Sequence, residues 1–349
     1  MARSVLALTR YDRLGASSRV RVLQYIPYLE RRGWNVRVHA LFSDTDLRRL
    51  YKDGRRSVPR LMAALAGRIG AAVGAHRGGV VWLQQELFPF LPYALEAALL
   101  TGKKLVIDFD DAQHLYYKGR FFGANKIERL MRRADAVTVG SPMMAGIARE
   151  AGARDVRLVF SAVDTAAFPP SAPVSVPFTV GWIGTPMTAN QSLHILREPL
   201  ARFLRETGSK AIFIGMDGAQ FPDLPGARIA WSEAAEQTAL PRLSVGICPL
   251  EDSPWTRGKS GYKIIQYMAA GKPALTSPVG IATDIVEDGV TGFHCRSADD
   301  WYRRLRQLHD DPALLAALGT QSRRRAEAKY DISIAAAAIH GILEDCLRG

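Results

Sequence analysis

Lys259 and Lys263 stand four apart in RGKSGYKIIQYMAAGKPALTS, residues 257 to 277, a stretch that reads as a helix followed by a strand. At that spacing two ammonium groups share one helical face. Gly258, Ser260 and Gly261 leave the backbone bare where the N–H groups of a helix start, from Ser260 to Tyr262, can receive an anion. No carboxylate interrupts the first turn, and Gly271 and Pro273 stop the helix. The chemistry implied is capture of a negatively charged group.

A second constellation is acidic. Asp108-Phe109-Asp110-Asp111 follows the apolar run KLVI at a strand end. Three carboxylates in four residues repel one another and call for a compensating cation, metal or proton. By strand alternation Asp108 and Asp110 share a face and Phe109 takes the other; the bland alternative is that Asp110 or Asp111 caps the next helix. His114 follows close behind, while His39, His194 and His294 read as structural. Glu86 and Gln84, after VVWL, read first as part of a solvated loop and only second as cleft residues. Small residues end two further strands: Gly15-Ala16-Ser17-Ser18-Arg19, and Gly184-Thr185-Pro186. Neither is a GxGxxG fingerprint, yet one glycine-bearing strand end in each half suggests one ligand spanning both. Trp231, ending ARIAW, is either core or a flat wall for a nucleobase.

The elements that must position these residues alternate. SVLALTR is a strand, RVRVLQYIPYLERRG recurs with helical period and WNVRVHALF is again a strand, a βαβ unit with parallel strands. Strands recur at VVWLQQ, KLVIDF, AVTVGS and VRLVFSA. FPPSAPVSVP, residues 168 to 177, is Pro- and Ser-rich and reads as a linker. Alternation restarts with FTVGWIG, a helix near 191–208, KAIFIG, ARIAW, VGICPL, the opening helix, PALTS and a hairpin-like DGVTGFHC. The expected architecture is α/β: two Rossmann-like, doubly wound domains facing across a cleft, residues 1–167 and 178–331. A terminal helix over 332–349 is free to cross back to the first.

Charge divides unevenly. Of 46 Lys and Arg against 34 Asp and Glu, residues 1–170 hold 27 and 15, and the remainder 19 and 19, so the first half carries the whole net +12. Residues 47 to 77 alone hold eight basic residues and one acidic, a solvated face or a surface for anionic lipid. No nucleic-acid-binding motif accompanies this charge. Three scattered cysteines fit neither a disulfide framework nor a metal site, and Cys248 reads as a small core residue. The apolar start MARSVLALTRYDR is too short for a secretory segment. LMAALAGRIGAAVGA is interrupted by Arg68, leaving no 18-residue uncharged apolar run. The expectation is a cytoplasmic protein without a bound metal or cofactor.

With these residues in view, the chain resembles the GT-B glycosyltransferases, and among them the GT4-type retaining enzymes. GYKIIQYMAAGKPALTSPVGIATDIVEDGVTGFHC, residues 261 to 295, carries most of the likeness: Gly271-Lys272-Pro273, Gly280, Asp288-Gly289 and Thr291-Gly292 follow that family in order and approximate spacing. ADAVTVGS and VFSAVDTAAF are similar to its strand and link late in the first domain. The resemblance implies transfer of a sugar from a nucleotide-sugar donor to a cell-envelope, polysaccharide or glycolipid acceptor at the cytoplasmic membrane face, without metal. The residues expected to contact the donor are Gly15, Ser17, Arg19, Gly184, Thr185, Trp231, Ser260, Gly261, Tyr262 and Gln266, and those expected to act in catalysis are Lys259, Lys263, Asp110 and Asp108, with Asp111, His114 and Glu86 nearby. Two departures stand out. Gly258 and Gln266 occupy the positions of the family's two glutamates, and Thr185-Pro186-Met187 stands where its diphosphate-facing Arg–Lys pair would be. The expectation is that Lys259 and Lys263 supply the missing charge; the alternative is a GT-B-like binding subunit that has lost catalysis.

Overall fold

The computed structural model describes residues 3–55, 57–75, 78–119, 123–168, 177–216 and 218–349. They fall into two compact units. The first comprises Met1–Ser161, Gly258–Ser260 and Ser333–Gly349, the second Ala162–Arg257 and Gly261–Ile332. Of the expected linker, residues 169–176 lie outside the described residues. Ala162–Phe168 belongs to the second unit, where Val163 N donates to Tyr330 O at 2.9 Å and Thr165 Oγ1 to Asp331 Oδ2 at 2.6 Å.

In the first unit six strands form a wholly parallel sheet: β1 Ser4–Tyr11, β2 Asn35–Phe42, β3 Val80–Gln84, β4 Lys104–Phe109, β5 Ala136–Val139 and β6 Val156–Leu158, in the order β2-β1-β3-β4-β5-β6. Every residue of β3 and all but the first of β4 is buried, as expected of parallel strands covered on both faces. The chain turns to opposite sides of β1 to make β2 and β3, so the topological switch lies between β1 and β3, where ligands meet such sheets at the carboxyl ends. The single helix expected over 19–33 is instead a helix Ala16–Arg21, a 3₁₀ turn Leu23–Tyr25 and a helix Ile26–Arg31. Pro27 lacks the N–H a continuous helix needs.

The second unit holds β7 Thr179–Ile183, β8 Lys210–Ile214, β9 Ala227–Ile229, β10 Val245–Cys248, β11 Ala274–Thr276 and β12 Gly292–His294, also all parallel, in the order β12-β11-β10-β7-β8-β9. Its switch point lies between β7 and β10. Trp182, Leu200, Phe203, Phe213, Leu275 and Trp301 fill its core. A Cβ on Gly181 would sit 2.1 Å from Leu243 Cδ1, so the β7 backbone packs where no side chain fits. DGVTGFHC is not a hairpin: Gly289 N closes a turn onto Gly292 O at 2.8 Å, and β12 then runs parallel to β11 as an edge strand. The helix expected near 191–208 begins earlier, with Pro186–Ser192, and continues through Leu193–Leu196 to Arg197–Thr207.

Ser333–Gly349, which holds all but the first residue of the terminal helix Ile332–Arg348, counts with the first unit. There Trp34 Nε1 donates to His340 Nδ1 at 3.1 Å, and Arg3 pairs with Glu344 at 2.6 Å.

Candidate functional site

In the first unit the polar residues gather at the carboxyl ends of β1, β3 and β4. Helix Ala16–Arg21 starts directly after β1, and Gly15 must be glycine there, because a Cβ would lie 2.4 Å from Tyr11 Cβ. That close turn brings Ser17 to Asp110: its hydroxyl donates to Asp110 Oδ2 and accepts from Gln84 Nε2 at 2.8 Å. Gln84 Oε1 accepts from Ser18 Oγ at 2.7 Å and from Arg10 N at 3.0 Å. Gln85, at φ 64°, donates to Asp110 Oδ1 at 3.0 Å. Both oxygens of Asp110 are therefore occupied and its carboxylate is fixed in place, with the side chain largely buried.

Asp108 takes a different role. It is fully buried; Arg21 Nη2 and Nε donate to its two oxygens at 2.7 and 3.0 Å, and Thr138 Oγ1 donates at 2.6 Å. Burial alone would lower the Arg21 guanidinium, but the charge and hydrogen bonds of Asp108 together with Tyr25 and Asp110 outweigh it and the net direction is up. Asp108 anchors the helix after β1 to β4; it is not among the groups open to a ligand.

Lys259 belongs to this unit, and here the structure corrects the expectation of a shared helical face. The helix runs Tyr262–Ala269. Gly261, at φ +70°, turns the chain immediately before it, so Lys259 precedes the helix and only Lys263 lies on it. Asp111 is partly buried; burial and then the Asp110 charge push it up to about 7, against the opposing pull of Lys259 and Arg21. Lys259 thus faces an acidic neighbourhood. The segment around it is tightly seated: a Cβ on Gly258 would lie 2.7 Å from Ala112 Cβ, and one on Gly140 would lie 3.0 Å from Ser260 Cβ. The position where the resemblance calls for a glutamate has no room for a side chain.

Glu86 is not in a solvated loop. It is buried, accepts from the Tyr117 hydroxyl and pairs at 2.7 Å with Lys126, whose ammonium is fully buried and also meets Glu96 at 2.6 Å and Phe88 O at 2.6 Å. Glu96 in turn accepts from Leu87 N and Phe88 N, both at 2.9 Å. This knot ties down the loop after β3, including positive-φ Gln85 and Phe90. Arg19 is buried and donates to Arg13 O at 3.1 Å. His114 is half-buried, and burial lowers its pKa. It lines a separate open cleft of about 620 Å³ with Asn125, Glu128, Arg129, Arg132 and Glu150.

In the second unit Gly184, Thr185, Lys263 and Gln266 come to the β7–β10 switch point. The Lys263 ammonium lies 4.6 Å from the centroid of the buried Trp182 ring, a cation–π contact. A Cβ on Gly184 would sit 2.5 Å from Trp182 Cη2, and one on Gly215 2.1 Å from Gly184 O. Thr185 caps the helix Pro186–Ser192 through reciprocal bonds with Thr188. Three residues beyond Lys263 on the same side of the helix, Gln266 is 2% exposed and its Nε2 meets no hydrogen-bond partner in the protein. Tyr262, partly buried, is the first helical residue. Trp231 follows edge strand β9, partly buried, with Nε1 donating to Glu236 at 2.5 Å; it stands beside Gly215, whose Cβ would meet Trp231 Cβ at 3.2 Å. Among the described residues no three His, Cys, Asp or Glu side chains are placed to hold a metal ion, and no helix is long and apolar enough to cross a membrane.

Sequence reasoning missed Arg21, Gln85, Thr138 and Lys126. A basic residue inside an apolar helical pattern, as in RVRV and NKIERLM, is the one signal by which Arg21 and Lys126 could have been found.

Residues 177–311 match the family described as Glycosyl transferases group 1. No curated protein matches the sequence. Among solved structures, the chain is similar to HepE of Anabaena in complex with UDP, at TM-score 0.72 and 16% identity, covering 98% of this chain and 100% of that one. It is likewise similar to sucrose-phosphate synthase from Thermosynechococcus elongatus (TM-score 0.71, 15% identity, 98% of each chain) and to a glycosyltransferase from Rickettsia africae (0.69, 13%, 99% of each). The chain has the GT-B fold, and most of its second unit matches the group 1 glycosyl transferase family model.

Proposed function

We propose that this protein is a glycosyltransferase that moves a sugar from a nucleotide-sugar donor to a hydroxyl of a cell-envelope, polysaccharide or glycolipid acceptor, with retention at the anomeric carbon. The observation that carries the reading is the second unit's switch point: an ammonium and a buried, unpartnered amide on one side of a helix that opens at a glycine. Lys263 and the helix start meet the diphosphate, and Gln266 donates to a donor hydroxyl. Similarity to HepE bound to UDP and to UDP-glucose supports a nucleotide sugar of this kind.

In the reaction the bond between the anomeric carbon and the phosphate oxygen breaks, and the acceptor oxygen bonds to that carbon on the same face. The acceptor proton passes to the departing phosphate. Negative charge grows on the leaving diphosphate, and a fixed cation facing it stabilises the transition state by a factor on the order of 10²–10³. Lys263 is better placed for this than Lys259, because it lies on the helix at the second unit's switch point, whereas Lys259 precedes that helix and sits near Asp111. Asp110, held by Ser17 and Gln85, orients the sugar or acceptor hydroxyl.

A thermal-shift panel of uridine, guanosine and deoxythymidine diphosphates and their sugars tests the reading. One nucleotide should stabilise the protein, and Lys263→Ala should abolish both that shift and donor turnover. Absence of any nucleotide shift in the wild type overturns it. The filled space at Gly258 favours a second reading, a binding subunit without turnover; a nucleotide-stabilised protein that consumes no donor would establish that one.

A further inference from the structure

Helix Val58–Val73 has one face that the first unit leaves uncovered. Val58, Met62, Ala66, Ile69 and Val73 are all exposed, at intervals of four, four, three and four residues. At 3.6 residues per turn these place the five on a single stripe less than a quarter of the way round the helix. Exposure reaches 68% at Val58, 60% at Met62 and 65% at Val73. The adjoining face, with Leu61, Leu65, Arg68 and Ala72, is turned inward, and the helix packs against β2. Scattered surface apolar residues are ordinary, but an unbroken row of them, with no charged residue among them, marks a contact surface.

The flanking charge says what kind of surface. Arg68, counted in the sequence as part of the basic run, is buried and donates to Thr9 O, so it is subtracted. Arg48, Arg49, Lys52 and Arg55 remain exposed in the helix Asp44–Asp53 and the turn just before the stripe, with Tyr51, 71% exposed, between them. Of the nearby carboxylates, Asp44 accepts from Leu14 N at 2.8 Å and Asp46 accepts from Ser43 N at 3.1 Å and meets Arg60, while Asp53 is exposed among the cations. An apolar row beside a cluster of exposed cations matches the interface of an anionic bilayer, into which such helices lie in plane.

We propose that this surface docks the first unit on an anionic membrane: Val58, Met62, Ile69 and Val73 enter the acyl boundary, and Arg48, Arg49, Lys52 and Arg55 meet lipid phosphates. The inference is independent of the reaction assigned above and stands or falls without it.

The test is pelleting of the full chain with vesicles of mixed phosphatidylglycerol and phosphatidylcholine, against phosphatidylcholine alone, at low and high salt. Binding should need the anionic lipid and weaken with salt. Arg48→Gln with Arg49→Gln should lower partitioning about fivefold per charge removed. Met62→Asp should lower it about tenfold or more, and Met62→Leu should restore it, with melting temperatures unchanged throughout. Failure to pellet with anionic vesicles at low salt overturns the proposal, as does binding that Met62→Asp leaves intact. A lipid-free dimer in sedimentation velocity that Met62→Asp dissociates would reassign the stripe to a second copy of this chain and likewise overturn it.

Discussion

The two units share a parallel six-stranded plan but stabilise their strand ends by opposite means. Among the described residues, the first buries Arg19, Arg21, Arg68, Glu86, Glu96, Asp108, Asp110 and Lys126, and the second buries only Glu236 and Lys272 as charged residues. Charges buried in pairs specify geometry at a high desolvation cost, and the first unit uses them to fix the loops after β1, β3 and β4. The second unit instead brings backbones together through Gly181, Gly184 and Gly215, and there Lys263 lies over the Trp182 ring while Gln266 Nε2 is buried without a hydrogen-bond partner. The first unit fixes its loops with internal ion pairs; the second shapes its switch point with close backbone packing.

That contrast can be broken most sharply at Lys126. Lys126→Met leaves Glu86 and Glu96 buried without their cation and should cost about 3–5 kcal/mol in denaturant unfolding. A loss under about 1 kcal/mol would mean the knot is not what holds the first unit's loop. Next is Gly258→Glu, which inserts the family's residue where Ala112 already stands; overpacking should cost about 1–3 kcal/mol and should not raise donor turnover. Gain of activity would show that the segment can shift aside.

Lys263→Ala tests the second unit. Its loss should weaken nucleoside diphosphate binding about tenfold or more by calorimetry while changing stability by only about 1 kcal/mol, the scale of a cation–π contact. Equal loss of fold would place Lys263 with the structural charges. The smallest effect belongs to Asp111. Its folded-state pKa lies near 7, above the ordinary carboxylate value, so the folded protein holds a proton that the unfolded chain releases as pH rises from about 4. Stability attributable to this group therefore falls between about pH 4 and 7. Asp111→Asn should gain about 1 kcal/mol at pH 8 and nothing at pH 4, less than full linkage because the side chain is partly solvated; equal melting shifts at both pH values would contradict it.

Much of the plan was legible before any coordinates. The alternation of SVLALTR, WNVRVHALF, VVWLQQ and KLVIDF located four strands of the first sheet, because a parallel strand covered on both faces is a run of apolar residues whatever its surroundings. The Gly-Lys-Pro and Asp-Gly punctuation of 261–295 likewise carried the family likeness. Less legible was how the polar residues divide. Asp108 and Asp110 are two residues apart and look equivalent, yet one pairs with Arg21 and the other with Ser17 and Gln85. Lys259 and Lys263 look like helical neighbours, and a single positive-φ glycine separates them. The run 47–77 looks uniformly basic, and Arg68 is inside it.

The sequence by itself determined the order of elements, the parallel sheets and the sign of the first half's charge, because periodicity and composition act locally and add along the chain. Tertiary structure alone decided which carboxylate is an anchor, which lysine lies on the helix and which apolar residues remain outside. Those outcomes depend on partners tens of residues away: Arg21 for Asp108, Glu86 and Glu96 for Lys126, Ala112 for Gly258. Coulombic and steric terms between such partners become large only when folding removes water from between them.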